Sequence, residues 1–247
     1  MNQQNMGPRV QSGLPGLDKL LEGGFPPGKV VLVLGEPGTG KSILASQYLM
    51  WGLTNGHENG VFIGMNESKE RYVSEMKGLG MDFEPFEKDT KFGFVDATDI
   101  RRIPDQARVG RIPVGGRELG LVNLVDTIQE AAEKFAPKRI AIDSISDLVF
   151  RFPEVEQRRP VILDLVEALQ STGSTCVMTS EVTSTGTERT LQPEEYLAEG
   201  VIQLKTLQKG GRSIQVLKMR GSKIDTKPRP YVISEKGIEV LATEEIY

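Results

Sequence analysis

Cysteine, histidine and tryptophan are almost missing, with one of each in 247 residues. A lone cysteine excludes an internal disulfide, and nothing points to an oxidising compartment. Cys176 stands in Ser174-Thr-Cys-Val-Met-Thr179 and reads as a small core hydrophobe. The lone histidine, His57, lies in the polar turn Asn55-Gly-His-Glu-Asn-Gly60 with no Cys or His nearby to share a metal. No run approaches the roughly 18 uninterrupted apolar residues that span a bilayer. The start, Met1-Asn-Gln-Gln-Asn-Met-Gly-Pro8, lacks the basic and apolar stretches of a secretion signal. These absences lead to the expectation of a cytoplasmic protein without membrane contact, its residues 1–10 forming a flexible polar arm. Basic excess is missing too. The formal net charge of −4 counts against a chain built to coat nucleic acid, although a local basic patch stays open.

What is present is ordinary globular material, with 38% hydrophobic and 26% charged residues. Val30–Leu34, Val61–Met65 and Arg139–Ile142 are short apolar runs of the kind that form buried parallel strands, and Phe92–Val95 is a weaker one. Helical patterning covers Ile43–Leu53, Lys69–Leu79, Leu119–Phe135 and Arg158–Ser171. Cys176–Thr179, Gly200–Leu207, Ser213–Met219 and Tyr231–Ser234 read as further strands, with Lys209-Gly-Gly211 as a hairpin turn. Alternating strand and helix predicts a mostly parallel α/β sheet flanked by helices, and the terminal strands predict an antiparallel extension. No linker or repeat interrupts the chain, so residues 1–247 read as one domain. Asp96–Glu118 and Val182–Ala198 read as long irregular segments.

Gly35-Glu-Pro-Gly-Thr-Gly-Lys-Ser42 matches the phosphate-loop pattern G-x-x-x-x-G-K-[ST], and it lies between a buried strand and a helix as that pattern requires. Gly35, Gly38 and Gly40 let successive N–H groups turn inward around an anion, and the following helix adds its positive end. The expected nucleotide-binding set is therefore Gly35, Glu36, Pro37, Gly38, Thr39, Gly40, Lys41, Ser42 and Ile43. Lys41 is placed to reach the β- and γ-phosphates, and the Ser42 hydroxyl to ligate Mg²⁺. A second Mg²⁺ ligand should be an acid that ends a neighbouring buried strand. Asp143, closing Arg139-Ile-Ala-Ile-Asp143, fits; its competing role is to cap the next helix. The cofactors expected are ATP and Mg²⁺.

From Gly16 to Gly237 the chain resembles a single-domain KaiC-like ATPase of the RecA/RadA superfamily. The resemblance rests on Gly23-Gly-Phe-Pro-Pro-Gly28 before the phosphate loop, on Asp143-Ser144, and above all on Leu217-Lys-Met-Arg-Gly-Ser222. It implies a RecA-like fold, ATP hydrolysis and a homo-oligomer, most simply a hexameric ring. It also implies that Lys218 and Arg220 reach the γ-phosphate held by the neighbouring subunit. Their alternation along a strand would aim both at one face. KaiC domains generally carry two adjacent acids at the end of the second strand, where this chain has Asn66-Glu67. An amide can hold a water but cannot accept its proton. Slow hydrolysis is therefore expected, with Glu67 as base and Asn66 as a positioning group. Val177-Met-Thr-Ser-Glu-Val182 resembles the family strand that senses the γ-phosphate, which makes Ser180 and Glu181 candidates. Tyr48 and Trp51 read as core or interface residues.

The leading expectation is a nucleotide-driven regulatory ATPase. A recombination-type DNA-binding protein is the second. For it, Arg101, Arg102, Arg108, Arg111 and Arg117, or Arg151, Arg158 and Arg159, would be the places to meet nucleic acid. A Ser/Thr autokinase is the third.

Overall fold

In the computed structural model, the residues described are 8–98, 106–109, 112–182, 192–208 and 210–246. The elements, in chain order, are α1 (Leu17–Leu20), β1 (Val30–Gly35), α2 (Lys41–Trp51), β2 (Gly60–Gly64), α3 (Lys69–Gly78), α4 (Glu84–Lys88) and β3 (Phe92–Asp96). There follow β4 (Gln106–Val109), β5 (Ile112–Gly115), α5 (Gly116–Phe135), β6 (Arg139–Asp143), α6 (Ser146–Arg151), α7 (Val155–Ser171) and β7 (Thr175–Glu181). The last are α8 (Pro193–Leu197), β8 (Gly200–Thr206), β9 (Arg212–Met219), β10 (Arg229–Ser234) and β11 (Gly237–Val240).

Nine strands form one sheet in the order β11-β10-β9-β8-β1-β7-β6-β2-β3. The pairs from β8 through β3 are parallel, while β8–β9, β9–β10 and β10–β11 are antiparallel. This is the α/β sheet with an antiparallel extension that alternation predicts. Strand β1 shows how the residues divide its two faces. Val31 and Val33 join a core with Leu44, Tyr48 and Phe62, while Val30, Leu32 and Leu34 join one with Leu124, Ile128 and Leu165. A strand buried on both sides has no polar alternation, so its sequence is apolar throughout.

Aromatic packing fixes α3 beside the sheet. Phe62 and Tyr72 stack at 4.0 Å between ring centroids, and Phe83 meets Phe92 at 4.5 Å. The Tyr72 hydroxyl donates to Ser46 Oγ at 3.0 Å, joining α3 to α2. Among the described residues, no helix is long and apolar enough to cross a membrane.

Three expectations need correction. The segment expected to be irregular at Asp96–Glu118 holds the antiparallel pair β4–β5, and α5 begins inside it at Gly116. The segment Val182–Ala198 holds α8. The arm expected over residues 1–10 does not run that far. Val10 and Phe25 exchange two backbone hydrogen bonds of 2.8 and 2.7 Å, and Arg9 donates to Ser222 Oγ at 2.6 Å. Residues 1–7, Lys209, Arg101, Arg102 and Arg111 lie outside the described residues.

Among the described residues Arg139 is the largest fully buried side chain. Its guanidinium pairs with Glu58 at 2.5 Å, donates to the Gln11 and Tyr48 carbonyls, and lies over the Tyr48 and Trp51 rings. A Cβ on Gly52 would stand 2.3 Å from Arg139 Nε. Gly52→Ala should therefore cost about 1–3 kcal/mol of stability by overpacking. Urea unfolding checks this, and an unchanged midpoint would show that the arginine moves aside freely.

Candidate functional site

The carboxyl ends of β1, β2, β6 and β7 come together by register: Gly35 lies opposite Glu181, and Gly64 opposite Asp143. In open α/β sheets ligands bind at this edge, beyond the strand ends. The cleft there has a volume of about 320 Å³ and is lined by Pro37, Gly38, Lys41, Ser42, Asn66, Glu67, Arg71, Glu75, Met76, Asp143, Ser144 and Glu181.

The loop Gly35–Ser42 passes from β1 into α2. Gly40 takes a left-handed backbone, with φ of 91°, just before the helix. Gly35 has no room for a side chain, because a Cβ would stand 2.6 Å from Thr39 Oγ1. Thr39 is buried and its hydroxyl donates to the Glu36 carbonyl at 2.7 Å. The Lys41 amine donates to the Gly35 and Glu36 carbonyls at 2.9 and 3.0 Å, folded back on its own loop. Burial lowers its pKa below the ordinary lysine value, against the pull of Glu181, Asp143 and Glu36. This is a desolvated cation at a helix N-terminus, the setting in which an anion is most favoured.

Asp143 is buried at the end of β6, where the Thr179 hydroxyl donates to its carboxylate. Beside it Ser144 and Ser146 join their hydroxyls at 2.7 Å, and Ser146 Oγ accepts from the Glu181 N–H at 2.9 Å. Asp143 therefore faces the cleft rather than capping α6, whose N-cap is Ile145.

Glu67 is half-buried between the sheet edge and α3. Burial pushes its carboxyl up to about 7, helped by the charges of Asp143 and Glu75 and opposed by Arg71. A carboxyl poised near neutrality can take a proton at physiological pH. Asn66 is exposed on the same rim. The cleft thus faces four carboxylates, Glu67, Glu75, Asp143 and Glu181, with two cations, Lys41 and Arg71.

Lys218 and Arg220 do not line this cleft. Lys218 is the penultimate residue of β9 and donates to the carbonyls of Glu195, Tyr196 and Ala198 at 3.0, 3.0 and 2.5 Å. Arg220 lies one residue beyond the strand, exposed, with Nη2 donating to the Tyr196 carbonyl at 3.1 Å.

The model of the KaiC ATPase family matches residues 10–245. The chain belongs to the KaiC family. It is 37% identical over 236 residues to a UPF0273 protein of Aeropyrum pernix, covering 94% of this chain and 93% of that one. It is 32% identical over 243 residues to the circadian clock protein KaiC3 of Synechocystis, of which it spans 46%. Its fold is similar to the crystal structure of a KaiC-like protein from Pyrococcus horikoshii, with a TM-score of 0.78, 33% identity and coverage of 94% and 98% of the two chains. The fold is therefore the RecA-like one, and family membership carries nucleotide binding and ATPase activity in general terms.

Of the KaiC-type residues expected from sequence, Pro37, Gly38, Lys41, Ser42, Asn66, Glu67, Asp143 and Glu181 share the cleft. Gly35, Glu36, Thr39 and Gly40 shape its loop from behind or beside. The Ile43 side chain is partly buried against the core with Leu44 and Tyr48. Ser180 is buried one residue short of the cleft. Arg158, named among the arginines for the nucleic-acid reading, is buried and paired with Glu194 at 3.7 Å, because α7 turns it inward. Sequence reading missed Arg71, Glu75 and Thr179. Arg71 and Glu75 recur at helical spacing from Glu67, which was the available signal.

Glu67 has a folded pKa above its ordinary value of 4.5. The fold therefore favours the protonated form, and the penalty builds as pH rises from about 4.5 and is complete above about 7. Glu67→Gln should leave the melting temperature unchanged at pH 4.5 and raise it at pH 8. A lower value at pH 8 would contradict the placement of that carboxyl.

Proposed function

We propose that the chain is a Mg²⁺-dependent ATPase that works as a homo-oligomeric ring, with each active site completed at a subunit junction, and that it serves as a nucleotide-driven regulatory module. The observation that carries the reading is the charge balance of the cleft around Lys41. A triphosphate entering beside four carboxylates would be repelled unless a divalent cation came with it.

The donor set fits that cation. Ser42 and Asp143 offer a hydroxyl and a carboxylate, hard oxygen ligands that suit Mg²⁺. Among the described residues no group of three or more His, Cys, Asp or Glu forms a metal cage. Mg²⁺ commonly takes one or two protein ligands and completes its shell with phosphate oxygens and water. When bound, it would neutralise charge between the β- and γ-phosphates. Lys41 exchanges its two carbonyl partners for phosphate oxygens, which relieves the penalty of a buried cation. Glu67 accepts the proton of the attacking water, and Asn66 holds that water in place without competing for its proton. ADP and phosphate are the products. A single carboxylate near neutrality with an amide as its partner supports slow turnover.

Arg220 is exposed on the antiparallel extension, away from its own cleft, and a cation so placed can act on a neighbour's γ-phosphate. Activity then requires assembly, and the nucleotide state is read at every junction.

Lys41→Ala should abolish binding of a fluorescent ATP analogue, measured by anisotropy; retained affinity would count against this cradle. Arg220→Ala should lower kcat about 10³-fold with little change in nucleotide Kd. Equal loss of both would make Arg220 structural. The profile of kcat/KM against pH should rise through about 7 and level off, because Glu67 must be ionised. An identical rising limb in Glu67→Gln would assign the base elsewhere.

A further inference from the structure

We infer that Tyr231, on strand β10 of the antiparallel extension, is a positioning residue of the nucleotide site: its hydroxyl holds the Thr39–Gly40 peptide so that the Gly40 N–H is turned toward phosphate. This rests on the reading of Gly35–Ser42 as the phosphate cradle, and it adds to that cradle a residue 192 positions away.

In a trans peptide the C=O of one residue and the N–H of the next point in opposite directions. A loop that offers N–H groups to an anion must send the matching carbonyls the other way, and each buried carbonyl then needs a donor behind it. Gly35 and Glu36 find donors inside the loop, in the Lys41 amine and the Thr39 hydroxyl. The Thr39 carbonyl is supplied from outside. Tyr231 Oη donates to it at 2.5 Å, with Thr39 and Tyr231 both buried. Burial pushes the phenol up to about 12, against the pull of Arg212, so it stays a donor at physiological pH. An outside contact matters here because this peptide turns on φ of Gly40, and a glycine φ is the least restricted of any residue.

Apolar packing closes the same side of the loop. Tyr231 and Ile233 are two apart on β10 and so project to one face. A Cβ on Gly40 would stand 2.9 Å from Ile233 Cδ1 and 3.3 Å from Ile238 Cδ1, which places β10 and β11 directly against the loop. Further along α2, Gln47 is tied to the same hairpin. Its Oε1 accepts from the Ile238 N–H at 2.7 Å, and its Nε2 donates to the Ile238 carbonyl at 3.1 Å. The hairpin thus holds both the loop and the helix it leads into. Without the hydroxyl, the loop samples orientations in which the Thr39 carbonyl faces the cleft, and nucleotide must select against them.

Calorimetric titration of the full chain with Mg·ATP and Mg·ADP tests this, with KM, kcat and melting temperature alongside. Tyr231→Phe keeps the ring and removes only the hydroxyl. Both dissociation constants, and KM, should rise about tenfold, the equivalent of one hydrogen bond, while kcat stays within about twofold. Tyr48→Phe is the matched control. It deletes another buried phenol of the same core, one that donates to the Thr175 carbonyl at 2.8 Å. It should lower the melting temperature by a similar amount and leave both dissociation constants unchanged. Wild-type affinity in Tyr231→Phe would overturn the inference. So would equal weakening in Tyr48→Phe, which would trace the effect to stability alone, or a fall in kcat at unchanged KM. If Tyr231→Phe does not fold, Ile233→Val removes the methyl nearest Gly40 and should raise the same constants about threefold. Constants equal to wild type would then overturn the inference. A wild-type chain that binds neither nucleotide defeats the cradle reading itself, an outcome distinct from a binding wild type beside an unaffected Tyr231→Phe.

Discussion

A buried ammonium among carboxylates is the constraint on which the remaining structure depends. Lys41 has been taken from water to the rim of a cleft where Glu181, Asp143 and Glu36 attract it, yet its hydrogen bonds go to two carbonyls of its own loop. That arrangement costs free energy until an anion arrives. The same carboxylates repel an anion arriving without a metal. The proposed Mg·ATP complex would supply phosphate and divalent cation together.

The fold makes this arrangement cheap to maintain. Parallel strands bring Gly35, Gly64, Asp143 and Glu181 to one edge, so the two carboxylates of the cleft among them inherit their positions from backbone register rather than from loops. The aromatic cluster of Phe62, Tyr72, Phe83 and Phe92 fixes α3, and with it Arg71 and Glu75 at the mouth of the cleft. The antiparallel extension serves a different end. It carries Lys218 and Arg220 outside the cleft, and the short helix α8 joins that extension to the layer of α7.

Much of this was legible in the sequence, for a physical reason. Strands such as Val30–Gly35 and Gly60–Gly64 are buried on both faces, so their residues must be apolar in unbroken runs. The phosphate loop imposes glycines at positions where no other residue fits, as at Gly35. What stayed hidden depends on partners distant in the chain. The strands β4 and β5 are short, and Pro113 argues against a strand in any linear reading, although an edge position tolerates it. Arg158 has the look of a solvated residue until Glu194 is placed against it. Nor does spacing reveal that Lys218 meets three carbonyls, because α8 was unreadable at five residues.

Calorimetric titration of the full chain with ATP, in the presence and absence of Mg²⁺, addresses the central claim most directly. The account predicts one nucleotide per chain, held tightly with Mg²⁺ and far more weakly with chelator, and a loss of that Mg²⁺ dependence in Asp143→Ala. Equal affinity with and without Mg²⁺, or no heat of binding at all, would contradict it.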